Sequence, residues 1–141
     1  EVEVRERAAS FSNVSFHPSC TRAGISDWLE KADIGLSMFA PFPVLESNGA
    51  TKFFDYLATG IPVLINHQGW QSEYLNENNC GLSSNQRDAK ALAENLTQLI
   101  ENVNMREIMG GNALKLAQTT FDRDLLAEKM LSLFQATLRN N

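Results

Sequence analysis

The strongest constraint on the fold is a short block in the middle of the chain. Val63, Leu64 and Ile65 are wholly apolar, and Gly60 and Pro62 stand just before them. An apolar triplet between turn signals is a strand buried on both faces, which is the habit of a parallel sheet with helices on either side. The residues before it support that arrangement. Phe53, Phe54, Tyr56, Leu57 and Ala58 read as a helix. Gly60 occupies the place of a left-handed C-terminal residue, Pro62 follows it, and Ser47 or Asn48 is positioned to cap the start.

The same alternation extends both ways. Residues 2–11 put Val4, Ala8 and Phe11 on one helical face, with Val2 and Val4 also alternating as in a strand. Residues 13–17 read as a short strand closed by Pro18. Trp28, Leu29 and Ala32 predict a brief helix, and residues 34–38 a second strand. Two prolines make residues 39–43 a loop, since proline removes ladder donors. Downstream lie a short helix over 72–75, a strand over 80–82 and three helices. The first carries Ala89, Leu92, Leu96, Leu99 and Val103 with Asn85 as cap. The second has Asn104 and Glu107 spaced as a capping box, and the last begins near Asp122 with Leu126, Met130, Leu133 and Phe134 in one stripe. Strands alternating with helices predict an α/β fold, a Rossmann-like doubly wound parallel sheet with the closing helices on its faces and edge.

Composition enters here as an exclusion. With 141 residues, 43% hydrophobic and 21% charged, the chain fits one ordered domain over 1–141 rather than a disordered or fibrous one. A net charge of −5, with 12 scattered basic residues, argues against nucleic-acid binding. No apolar run approaches the ~20 residues of a membrane span. Cys20 and Cys80 set no disulfide framework and suit a reduced compartment.

In parallel sheets ligands bind beyond the carboxyl ends of the strands, so the entry Glu46-Ser-Asn-Gly-Ala-Thr-Lys52 is the candidate site. The first turn of a helix exposes unpaired N–H groups and about half a positive charge, and the small Gly49 and Ala50 let a ligand approach. Against this stands a structural reading, in which Gly49 eases the entry, Lys52 pairs with Asp55 on the surface, and Phe53, Phe54 and Leu57 are core.

The run from 51 to 65, Thr-Lys-Phe-Phe-Asp-Tyr-Leu-Ala-Thr-Gly-Ile-Pro-Val-Leu-Ile, resembles the signature of group 1 glycosyltransferases of the GT-B fold. Trp28-Leu-Glu-Lys-Ala-Asp-Ile34, Asn79-Cys-Gly-Leu82, Asp88-Ala-Lys-Ala-Leu-Ala93 and the ending at Phe121 agree with that family in order, so the resemblance spans the chain. It implies the donor-binding C-terminal half of a retaining GT-B enzyme, N-terminally truncated and missing its first strands. No metal or cofactor is implied; the substrate is a UDP- or GDP-linked sugar.

By the resemblance, Asp55 accepts hydrogen bonds from the ribose hydroxyls. Gly49, Ala50 and Thr51, flanked by Ser47, Asn48 and Lys52, present amides to the diphosphate, and His17 and Pro18 meet the base. Many members carry a Glu eight positions before the ribose-binding acid, in contact with the donor sugar; here that position is Ser47, with Glu46 one residue earlier. The acceptor, a glycan or lipid-linked sugar, would sit on an N-terminal domain, and basic residues upstream would neutralise the leaving diphosphate. The chain alone would then be inactive, its exposed sheet edge would favour self-association, and the full-length enzyme would be cytoplasmic or peripheral at the inner membrane face. Competing readings are a nucleotide-sugar 2-epimerase of the same fold and a non-catalytic nucleotide-binding domain, the latter supported by Ser47.

Overall fold

The computed structural model describes residues 2–139, with side chains from residue 5 onward, so the place of Val2 and Val4 on a helical face lies outside the described residues. The chain divides into two compact units, one ending at Glu30 and one beginning at Lys31.

The first unit holds two helices, α1 (Val2–Ala8) and α2 (Arg22–Leu29). Thr21 caps α2, its hydroxyl accepting from the Gly24 N–H at 3.3 Å, so the helix starts six residues ahead of Trp28 and ends before Ala32. The strand expected over 13–17 does not form. Those residues pair with no strand among the described residues, and the Val14 N–H turns back to the Phe11 carbonyl at 3.3 Å. A strand without a neighbour leaves its main-chain groups to water, and β propensity alone does not hold it.

The second unit is built on a parallel sheet of β1 (Gly35–Ser37), β2 (Val63–Ile65) and β3 (Gly81–Ser83), in that order. The connections carry α3 (Thr51–Thr59) and α4 (Trp70–Asn78), and α5 (Ala89–Glu101), α6 (Val103–Thr119) and α7 (Arg123–Arg139) follow. β2 is the central strand and is buried throughout, as its apolar triplet demands. Val63 and Ile65 face Phe53 and Leu57 of α3, Leu75 of α4, and Ala113 and Leu116 of α6. Leu64 faces the other way, onto Leu99 and Met109, with Leu92, Leu96 and Met105 packed around them. Helices therefore cover both faces of the sheet.

Gly60 closes α3 in the left-handed region at φ 75°, which costs glycine nothing. Its carbonyl lies against Gly110 of α6, where a Cβ would collide with it. Two glycines thus let α3 and α6 approach backbone to backbone.

Three helix starts differ from expectation. α3 begins at Thr51, with Ala50 as its cap and no capping side chain, because residues 43–47 form a 3-10 turn (Pro43–Ser47) that Asn48 closes through its N–H to the Leu45 carbonyl. Ser47 and Asn48 are spent on that turn. Asp88, not Asn85, caps α5, accepting from the Ala91 N–H at 2.9 Å. Asn102, not Asn104, caps α6 through the Met105 N–H at 2.9 Å. In the last two cases the residue three before an unpaired N–H is the cap, as capping geometry requires. Asp122 does cap α7, but that helix buries no residue, so its expected place on the sheet is not taken.

Candidate functional site

Two loops meet where the strands end. One leaves β1 through residues 38–50 and enters α3; the other leaves β2 through residues 66–69 and enters α4. Their contact is close. Gly69 has φ 96°, and a Cβ there would lie 2.7 Å from the Glu46 carbonyl oxygen, so only glycine fits between the loops. Beneath Gly49 lies Trp70, 3.8 Å from where a Cβ of Gly49 would stand. Trp70 is set in an aromatic cluster with Phe53, Phe54, Tyr74 and Phe121. These rings are packed against the core and form a floor under the loop.

Above that floor the main chain is unusually open. Among the described residues the N–H groups of Gly49, Ala50, Thr51 and Lys52 have no hydrogen-bond acceptor, and Gly49, Thr51 and Lys52 are exposed. The first bond of the helix runs from the Phe53 N–H to the Ala50 carbonyl, at 3.0 Å. Four consecutive donors at an uncapped helix start concentrate the positive end of the dipole on one spot.

Asp55 is one turn further on and partly exposed. The expected Lys52–Asp55 ion pair is not formed: none of the ion pairs among the described residues joins these two side chains. The Asp55 carboxylate helps raise the pKa of neighbouring Tyr56, though burial is the larger cause. The Tyr56 hydroxyl donates to the Leu36 carbonyl at 3.1 Å, tying α3 to β1.

Residues that the sequence reading passed over stand beside this helix start. His67, two residues past β2, is fully buried; its Nε2 lies 2.7 Å from Gln71 Oε1, and its ring stacks on Phe39 at 4.3 Å. Burial lowers its pKa, partly offset by the Gln71 hydrogen bond and the charge of Glu46, while Lys52 lowers it further. Asn66 pins Phe39 by two hydrogen bonds, accepting from its N–H at 2.7 Å and donating to its carbonyl at 2.9 Å. The rule that ligands gather at the carboxyl ends of parallel strands pointed to this position, since His67 follows the one unmistakable strand.

Glu46 is partly buried in the 3-10 turn, and its charge is felt at His67. His17 and Pro18 belong to the first unit, where both are exposed and the His17 ring lies 4.0 Å from that of Trp28.

An open row of amides at the end of a parallel strand is suited to an anion. The sequence model described as glycosyl transferases group 1 matches residues 13–116, most of the chain. The chain belongs to the group 1 glycosyltransferases. Searches among curated proteins and among solved structures found no match. For a group 1 glycosyltransferase the matched span is informative: it takes in the sheet, α3 and α4 with both site loops, and it stops inside α6, before α7. Sugar transfer is thus the general activity of the family to which the chain belongs. No helix among the described residues is long and apolar enough to cross a membrane.

Proposed function

We propose that this chain is the donor-binding C-terminal part of a retaining GT-B glycosyltransferase, and that the entry to α3 holds the diphosphate of a nucleoside diphosphate sugar. The observation that carries the reading is the row of unpartnered amides at residues 49–52. An uncapped helix start is unfavourable in a free protein and becomes favourable once an anion takes the donors. Asp55, without an ion pair, is free to accept from the two ribose hydroxyls, which a carboxylate does well because it only accepts.

Chemically, the amides do more than bind. As the bond from the sugar to the diphosphate breaks, negative charge builds on the leaving phosphate oxygen. Fixed N–H donors stabilise that charge without having to reorganise. Glu46 and Lys52 flank the place where this happens. The acceptor, a glycan or lipid-linked sugar, would be held by an N-terminal domain, so the 141 residues alone bind donor and do not turn over.

Thermal unfolding of the full-length protein with UDP and with GDP tests the reading. One diphosphate at 100 times its Kd should add about 2.7 kcal/mol. Asp55→Ala should weaken nucleotide binding about tenfold or more, as expected for hydrogen bonds to a charged group, while leaving the unliganded melting temperature unchanged. Absence of any shift with either nucleotide sinks the proposal.

A further inference from the structure

The strand ends hold polar atoms that the diphosphate site does not use. Ser37 Oγ, His67 Nδ1 and Gln71 Nε2 are buried and have no hydrogen-bond partner among the described residues, and each belongs to a residue that is 0% exposed. Native interiors rarely leave such groups unpaired, so a cluster of them calls for a physical account.

Their arrangement is ordered. Ser37 is in register with Ile65, and Phe39 and His67 lie two residues beyond each. Strand alternation sends these side chains to the α3 and α4 side, where Ile65 packs and where Phe39 stacks on His67. Gln71 sits in the first turn of α4 on the same side, bonded to His67. The hydrogen-bond roles follow from that bond. Gln71 Oε1 only accepts, so the imidazole proton is on Nε2 and Nδ1 presents a lone pair. The Gln71 amide N–H then seeks an acceptor, and Ser37 Oγ can serve either way. An anion satisfies the amide and is repelled by the lone pair; an ammonium does the reverse. Neutral hydroxyls do both.

We infer that His67 and Gln71, with Ser37, read the hydroxyl groups of the sugar carried by the donor. The inference rests on the donor-site reading above. These buried residues adjoin that site: Gly69 and Glu46 touch, and the imidazole feels the charges of Glu46 and Lys52 at the mouth of α3. A sugar bonded to a phosphate on the row of amides is thereby brought to the side of the loops on which they lie. The three atoms are enclosed, with the half-buried Phe39 ring over the imidazole, so the sugar enters by displacing that ring while Asn66 holds the Phe39 main chain. His67 and Gln71 are thereby specificity-determining residues for the donor sugar.

The test compares free diphosphates with their sugars on the full-length protein, using UDP, UDP-glucose, UDP-N-acetylglucosamine, GDP and GDP-mannose. In His67→Gln the amide keeps the group at the Nε2 position and loses the one at Nδ1; in His67→Asn the reverse holds. His67→Gln should weaken the sugar nucleotide about tenfold with the free diphosphate unchanged, and His67→Asn should restore the affinity. Unchanged diphosphate binding shows that the variants are folded. Independently, the Nδ1 nitrogen resonance of His67, assigned by its loss in His67→Gln, should move in the unaltered protein with the sugar nucleotide and not with the diphosphate. If a diphosphate binds but the variants affect it and its sugar equally, or the resonance is the same with both, the buried atoms hold water alone and the inference is overturned. If no diphosphate binds, the donor-site reading itself has failed and takes the inference with it.

Discussion

The imidazole of His67 is enclosed on all sides, and burial outweighs the Gln71 hydrogen bond and the Glu46 charge in setting its pKa below the ordinary 6.5. The sign of the consequence is definite. A group whose folded pKa is depressed favours the folded state above its unfolded pKa, because the unfolded chain takes up the proton first as pH falls. Stability from His67 is therefore complete above about pH 6.5 and is lost as pH drops below it toward the folded value. Urea midpoints measured from pH 7.5 to 5.5 should fall through this window in the unaltered chain. In His67→Gln that limb should flatten, because the titrating group is gone; an unchanged slope would place the proton uptake elsewhere. Cys80 shows the same burial acting on an acid, its thiol being pushed up to about 11, so it stays protonated and inert in the core.

At the scale of elements, the packing of α3 on α6 shows how much a missing side chain can matter. Gly110 lies against the Gly60 carbonyl, and main-chain atoms cannot swing aside as a flexible side chain can. Gly110→Ala should therefore destabilise by about 1–3 kcal/mol through overpacking, although alanine is the better helix former. Gly111, one residue on, has nothing within 4 Å of a new Cβ, so Gly111→Ala should be neutral or stabilising by up to about 1 kcal/mol. Urea unfolding of the pair separates packing from propensity; equal effects at both positions would mean that the two helices are not held at backbone contact. The start of α3 carries the opposite lesson. Its donors are left open because Ser47 and Asn48 belong to the turn before it, and that division of labour gives a helix start able to take an anion.

For the molecule as a whole, α7 is the element without a place. Leu126, Met130, Leu133, Phe134 and Leu138 are 45–77% exposed along it. A contiguous apolar stripe of this length favours association in water. Light scattering on the isolated chain should give a mass that rises with concentration, and removal of residues 123–141 should return it to one chain; a single-chain mass at high concentration counts against this. The stripe itself was readable, because helical periodicity is local, and so were β2, the Gly60 stop and the alternation of strands with helices. The entry to α3 could also be singled out, since ligand sites in parallel sheets follow from chain direction. What a residue touches could not be read. Residues 13–17 have strand composition and no partner, caps shifted by up to three residues, and α7 turned out to cover nothing. The His67 cluster was hidden for the same reason: Phe39, His67 and Gln71 are brought together by parallel register and the fall of α4. Local periodicity is written along the chain, but the pairing of polar atoms and the covering of apolar faces depend on neighbours far away in sequence, so only the folded structure decided them.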